Sequence, residues 1–385
     1  MVYDAIVLGL GGMGSAAAYH LARRGNRVLG LEKFGAAHDR GASHGKSRII
    51  RQAYFEGEAY VPLILRAYEL WDELERESDE KLIHMTGALM LGSPDSGLVS
   101  GSVASAQKHG LPYELLGSRE IRTRFPAFEP PPDTVALHEK RAGYVLPETS
   151  VKTHLDLAYR HGSDLHFQEP ALDWEATSSS SVVVRTQRGV YEAGSLIITA
   201  GAWSREFLAG LGLPLRVERR VMHWFEPHVS ASEVGLGEPG RFPVFVWEPE
   251  EGEVFYGIPD SDSAVKAAFH YVGEECSPDT LDREVGAEEI SAVRDTLKRY
   301  MPRVAGRHVT SKACTYTNTP DLDFVVSVHP EHPQVSLACG FSGHGYKFCP
   351  VMGEVLADLA TTGETPHPVG MFSPARFTGR SDQRD

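Results

Sequence analysis

At 385 residues, with 42% hydrophobic and 23% charged side chains, the chain has ordinary globular usage and is long enough for more than one core. With 52 acidic against 38 basic residues, the net charge of −14 repels nucleic-acid phosphates and anionic membrane faces, so neither is expected as a partner. No run reaches the ~18 apolar residues of a membrane span. The four cysteines, Cys276, Cys314, Cys339 and Cys349, are too sparse for a disulfide framework and lack CxxC spacing; no metal is expected, and a reducing cytoplasm is.

The start, "MVYDAIVLGLGGMG", has no basic region ahead of its apolar run, and glycine breaks that run early, so it reads as a strand and not a signal peptide. A helix "SAAAYHLARRG" and a second strand "RVLGLE" complete a βαβ unit. Gly9, Gly11 and Gly14 have GxGxxG spacing: a tight turn, a close backbone approach to a pyrophosphate, and close helix–strand packing. Glu32 ends the second strand, where a carboxylate accepts from ribose hydroxyls. This predicts a dinucleotide site without separating FAD from NAD.

Next, "GASHGKSRIIRQAY" concentrates positive charge in an acidic protein. On a helical turn His44, Arg48 and Arg51 share a face, and the interleaved Ile49 and Ile50 imply partial burial against a carboxylate or an aromatic ring. Over 61–78, Leu63, Ala67, Leu70, Trp71 and Leu74 form one stripe, which predicts a long amphipathic helix with that stripe in the core.

From about residue 164 short alternating strands follow, "LHFQEP", "ALDWEA", "SVVVRTQRG" and "VYEAGSLIITAG", with the serine run at 178–181 as a hairpin turn. Further strands are read at "VMHWFEP", "FPVFVWEP", "EVFYGIP" and "AVKAAFHYV", the last placing Lys266 and His270 on one face opposite an apolar one. A surface strand gives the same pattern. If the face lines a cavity instead, a lysine there has a lowered pKa and can handle protons. A helix near 286–300 follows, then a strand, the glycine loop "GFSGHG", a terminal helix and a polar tail at 378–385 expected to be disordered. Two glycine loops at opposite ends of the chain suggest one cofactor domain made from both termini, with a sheet domain inserted.

Seven ordered stretches, "GLGGMG" with Glu32, "SHGKSRIIRQAYFEGEAYVPLILRAYELWDEL", "TGALMLG", "ETSVKTHL", "FYGIP", "KACTYTNTPDLDF" and "GFSGHGYKF", together resemble the monomeric sarcosine oxidase family of FAD-dependent amine oxidases, which includes N-methyltryptophan oxidase. The resemblance implies an α/β fold: a Rossmann-type FAD-binding domain from discontinuous segments 1–85, 146–216 and 322–385. An α+β catalytic domain with a mostly antiparallel sheet, 86–145 and 217–321, is inserted in it. It implies FAD tethered through Cys314, a substrate carboxylate gripped by Arg51 and Lys347, and His44 and Arg48 against the flavin. Lys266 is implied in oxygen activation, and His270, Tyr256 and Tyr316 lie near the amine. Gly343 and Gly345 belong to the loop facing the flavin's N1–C2 edge, where a helix N-terminus suits developing negative charge.

The implied activity is oxidation of an N-methyl amino acid, sarcosine foremost, with O2 as acceptor, giving the demethylated amino acid, formaldehyde and hydrogen peroxide, by a cytoplasmic monomer. Alternatives are a bulkier or cyclic substrate (N-methyl-L-tryptophan, L-pipecolate or L-proline) or a dehydrogenase with another acceptor. Three places depart from the family pattern: Lys46 stands where an acid is common, Cys349 and Pro350 follow "YKF" where small residues are usual, and the turn between Pro259 and Lys266 is short and polar.

Overall fold

The computed structural model describes residues 2–260 and 263–377, so the tail at 378–385 and part of the turn before Lys266 lie outside the described residues. The first strand, Val2–Leu8, is buried and apolar from Ala5 to Leu8 because it lies inside a parallel sheet, with Val28–Leu31 on one side and Val190–Ile198 on the other. Strand Val190–Ile198 uses its outer edge twice. Its beginning pairs antiparallel with Ser181–Thr186, and its end pairs parallel with Val335–Cys339. The serine run turns the hairpin between Ala171–Ser178 and Ser181–Thr186, as expected. Eight strands make this sheet, and both ends of the chain contribute to it.

Helix Gly12–Arg23 follows the first glycine turn, and helix Cys349–Thr362 follows the last. The two pack closely: a β-carbon on Gly353 would come within 2.6 Å of the Ala16 backbone. The long helix forms over Val61–Ser78, and its predicted stripe, Leu63, Ala67, Leu70, Trp71 and Leu74, is buried.

A second sheet of nine strands carries Arg216–Phe225 and His308–Asn318 as its longest pair, with Val244–Glu250, Glu253–Pro259 and Val265–Phe269 beside them. Its pairings are antiparallel except that of Val244–Glu250 with Ala88–Gly92. One face meets helix Ala287–Tyr300 through Phe225, Val265, Ala267, Trp247 and Phe255. The opposite face carries Lys266 beside Trp224 and Cys314 beside Arg220, the pairs that cross-strand register places together.

The basic cluster is not helical. Gly45 and Lys46 have positive φ (95° and 66°), and Arg48–Ile50 is a strand pairing with Gly143–Val145. Two successive β-branched residues favour a pleated ladder, and left-handed backbone just before them stops a helix. Arg48 therefore leaves from the strand and Arg51 from the irregular stretch just after it, rather than sharing a helical face. The strand carrying Lys266 is also shorter than expected: it ends at Phe269, and His270 lies just beyond it, its N–H bonded to Val254 O. Among the described residues no helix is long and apolar enough to cross a membrane, and no cluster of three or more His, Cys, Asp or Glu could hold a metal.

Candidate functional site

A cavity of about 230 Å³ opens where four parallel strands end, lined by Leu8, Leu31, Thr199 and Cys339 at those ends, the position at which doubly wound sheets bind ligands. Gly9, Gly11 and Gly12 line it, as do Glu32, Phe34 and Trp203. Gly14 is not in the lining: a β-carbon there would collide with Gly9 O, so its part is to let helix and strand touch. At Gly11 the nearest atom to an added β-carbon is Ser43 Oγ at 3.7 Å, which leaves the space a pyrophosphate would use.

The helix beginning at Gly12 has no acid in its first turn, and the Gly12 N–H meets only Ser43 Oγ, at 3.0 Å, outside the helix, so donors and dipole favour an anion. Glu32 Oε2 accepts from Leu10 N at 2.8 Å and Oε1 from Phe34 N at 2.9 Å. Burial works to raise that carboxyl, but His38 and the two amides outweigh it and hold it ionised. These features fit FAD.

A second cavity, about 70 Å³, is lined by Arg48, Arg51, Glu56, Tyr256, His270, Tyr316, Lys347 and others. It shares Arg48, Tyr316, Gly343 and Tyr346 with the first, so the two meet at that wall. Gly343 is required there, since φ is 78° and a β-carbon would collide with the Tyr316 ring. Gly345 lines the larger cavity only.

Arg51, 3% exposed, has the partners its burial demands. Nη2 meets Glu56 Oε2 at 2.5 Å, Nη1 donates to Ala53 O at 2.7 Å, and the guanidinium lies 4.4 Å from the Tyr54 ring centroid and 4.6 Å from that of Phe55. Burial pushes the Glu56 carboxyl up, but Arg51, His344 and Lys347 overcome this and hold it at about 2. Lys347 Nζ donates to His344 O at 2.6 Å and reaches Tyr54 Oη at 3.5 Å; burial and the Arg51 charge bring its ammonium down to about 7. Burial also takes His270 down to about 3 and raises the phenols of Tyr256 and Tyr316. A molecule in this cavity thus meets Arg48, Arg51 and Lys347, the Arg51-paired Glu56, and the neutral His270, Tyr256 and Tyr316.

Lys266, Cys314 and His44 lie behind the cavity walls. Lys266 is fully buried and donates to Gly45 O at 3.0 Å and to Ser47 O; burial, then Arg48, pushes its ammonium well below the usual lysine range. Cys314 Sγ lies 3.7 Å from Arg48 Nη2, while Lys312, two residues before it, is exposed. His44 has both ring nitrogens buried without a hydrogen-bond partner, and burial followed by Arg48 lowers it to about 3. Lys46 ion-pairs with Asp260 at 3.1 Å, across the short turn, and Cys349 Sγ packs against Gly12.

Glu56, Tyr54 and His344 were not singled out from the sequence. Glu56 stands five residues after Arg51, a spacing that could have suggested the pair, and His344 lies inside the quoted glycine loop.

The family model for FAD dependent oxidoreductases matches residues 4–359. A monomeric sarcosine oxidase from Streptomyces avermitilis is 50% identical over 97% of this chain and 98% of its own length. Another from a Bacillus species is 39% identical over 96% of both. An N-methyl-L-tryptophan oxidase from Yersinia pestis is 36% identical over 98% of this chain and 100% of that protein. Among solved structures, an L-proline dehydrogenase from P. horikoshii superposes with a TM-score of 0.84 at 23% identity, covering 98% of each chain. A glycine oxidase from Geobacillus kaustophilus gives 0.80 at 21%, covering 97% of this chain and 98% of that one. At such identities the structural likeness speaks for the fold alone.

Proposed function

This chain belongs to the family of FAD dependent oxidoreductases, and from that premise we propose that it oxidises a small N-methyl amino acid, sarcosine first, to the demethylated amino acid and formaldehyde, reducing O2 to hydrogen peroxide. The carrying observation is that Arg51 and Lys347, from distant parts of the chain, converge on a cavity of about 70 Å³ that adjoins the cofactor cavity. A space of this size suits a small amino acid such as sarcosine better than N-methyltryptophan. The relatives named for sarcosine oxidation agree with this choice.

FAD, when bound, supplies the two-electron acceptor and, once reduced, the donor to oxygen. Glu32, the Gly9–Gly12 turn and Ser43 would hold its dinucleotide part, and Gly343, Gly345 and Arg48 its ring end. Cys314 is the proposed tether. It adjoins Arg48, and its neighbours Thr315 and Tyr316 line the larger cavity. Cys339 also lines that cavity, but burial pushes its thiol up to about 12, far from a nucleophilic thiolate.

For the substrate, Glu56 gives up Arg51 to the incoming carboxylate, a like-for-like exchange that keeps the buried guanidinium paired. Lys347 adds a second cation. Neutral His270 accepts from the amine, and Tyr256 and Tyr316, which keep their protons, donate to it or to water. None of these carries charge near the amine, so the neutral amine is the form accommodated. Lys266, held by two carbonyls behind the wall and with its proton held less tightly than an ordinary lysine's, would take up and release a proton as oxygen is reduced.

The division into a cofactor domain of 1–85, 146–216 and 322–385 and a substrate domain of 86–145 and 217–321 belongs to this proposal, supported by the two large sheets. So does a cytoplasmic monomer, supported by four free thiols. The test is a peroxide-coupled panel of sarcosine, N-methyl-L-tryptophan, L-pipecolate and L-proline, with sarcosine expected to give the highest kcat/KM. Silence across the panel overturns the activity, and turnover without peroxide transfers the chain to the dehydrogenases. Acid precipitation checks the tether: yellow pellet in the native protein, yellow supernatant for Cys314→Ser.

A further inference from the structure

Glu139 closes strand Val135–Glu139 and is only 3% exposed. Its Oε1 accepts from Gln52 N at 2.8 Å, and its Oε2 accepts from Gln52 N at 3.1 Å and from Ala53 N at 2.9 Å. Among the described residues no ion pair reaches it. A carboxylate buried without a cation in contact is costly unless its hydrogen bonds secure something, and here every one goes to the segment directly after Arg51.

Beyond the core packing of Ala53 and Tyr54, that segment has few backbone hydrogen bonds to hold it. The short strand ends at Ile50, so 51–56 belongs to no helix or sheet. Its other anchor is Tyr54 N, which donates to Ser105 Oγ at 2.7 Å. Within the segment Arg51 bonds back to Ala53 O and stacks between Tyr54 and Phe55, and Tyr54 in turn touches Lys347 and His344. Fixing the peptides at 52 and 53 therefore fixes the direction of Arg51 and the ring that borders Lys347. Burial, opposed by the two amides and by Arg51 and Arg141, raises the Glu139 carboxyl to about 7, as expected for a charge kept without a contacting cation.

We propose that Glu139 is a positioning residue for carboxylate recognition, holding the Arg51–Glu56 segment so that Arg51 points into the smaller cavity. This rests on the reading of Arg51 as the carboxylate-binding cation. Glu139 lines neither cavity, so its effect passes through the two backbone amides it holds.

The experiment measures binding of acetate and of uncharged acetamide to the flavin-loaded enzyme by perturbation of flavin absorbance. Glu139→Gln should weaken acetate on the order of tenfold to a hundredfold, the penalty of a small misplacement of a binding group, and leave acetamide unchanged. Ser105→Ala, which removes only the third anchor, should shift acetate in the same direction by less, and it decides the matter if Glu139→Gln does not fold. Unchanged acetate binding in the folded variant, or equal loss for both ligands, overturns the proposal. Arg51→Gln run in parallel separates the layers: acetate loss there without loss in Glu139→Gln defeats the positioning role, while no acetate loss in Arg51→Gln defeats the reading of Arg51 and this inference with it.

Discussion

Lys347 gives the smaller cavity a pH dependence whose sign can be worked out. Its ammonium is held near 7 by burial and by Arg51, against an ordinary lysine value of 10.5. The protonated form attracts a carboxylate, so above pH 7 the ligand must bring a proton in with it. The acetate Kd should rise with pH by up to tenfold per unit until the complex itself titrates, and Lys347→Met should flatten that rise; absorbance titrations from pH 6 to 9 check both. Lys266 makes a different prediction, because it lies behind the wall and touches carbonyls rather than the cavity. Lys266→Met should slow flavin reoxidation much more than anaerobic flavin reduction in stopped flow, and equal loss in both half-reactions removes its oxygen role. Arg51 drew notice because it stands in a basic cluster in an acidic chain, whereas Lys347 was named only through the family resemblance. Glu139 was not legible, since its partners lie 86 and 87 residues away and nothing local marks a glutamate that bonds to backbone.

Helix Val61–Ser78 shows what periodicity can and cannot say. Its 3.6-residue stripe predicted both the helix and its buried face. The pattern did not say that Trp71 Nε1 donates to Lys347 O at 2.9 Å, tying the core helix to the turn that presents the lysine. Trp71→Phe keeps most of the buried ring but orphans that carbonyl. It should cost about 1–3 kcal/mol in urea unfolding and move the Lys347-dependent pH profile; a profile identical to the native one shows that the tie is structural only. The basic cluster failed as a helix for the opposite reason: spacing alone suggested a shared face, while Ile49–Ile50 and the left-handed turn at Gly45 and Lys46 forced a strand. Its ladder partner, Gly143–Val145, is distant in sequence, and strand pairing of that kind leaves no short-range trace.

At the scale of the whole molecule, the paired glycine loops at opposite ends were enough to suggest a cofactor unit built from both termini, and Val190–Ile198 does bind strands from both. Sheet order and register were beyond reach, because they follow from which buried faces meet and not from any one segment. A chain cut at residue 330 loses strand Val335–Cys339, the 341–345 loop and helix Cys349–Thr362, which line or back the larger cavity. It should copurify without flavin, as an absorbance ratio will show, whereas retained yellow colour means the first βαβ unit suffices.

The shared sheet also orders events in time. The turn at Gly9–Gly12 is synthesised well before the Gly343–Gly345 loop. At about 5–20 residues per second, on the order of tens of seconds separate them. Through that interval helix Gly12–Arg23 waits with the small-residue face that Gly353 will later cover still open to water. A cofactor cavity lined by both loops is complete only once the later one has been made, so the docking of helix Cys349–Thr362 against helix Gly12–Arg23 is a step that assembly of the site requires.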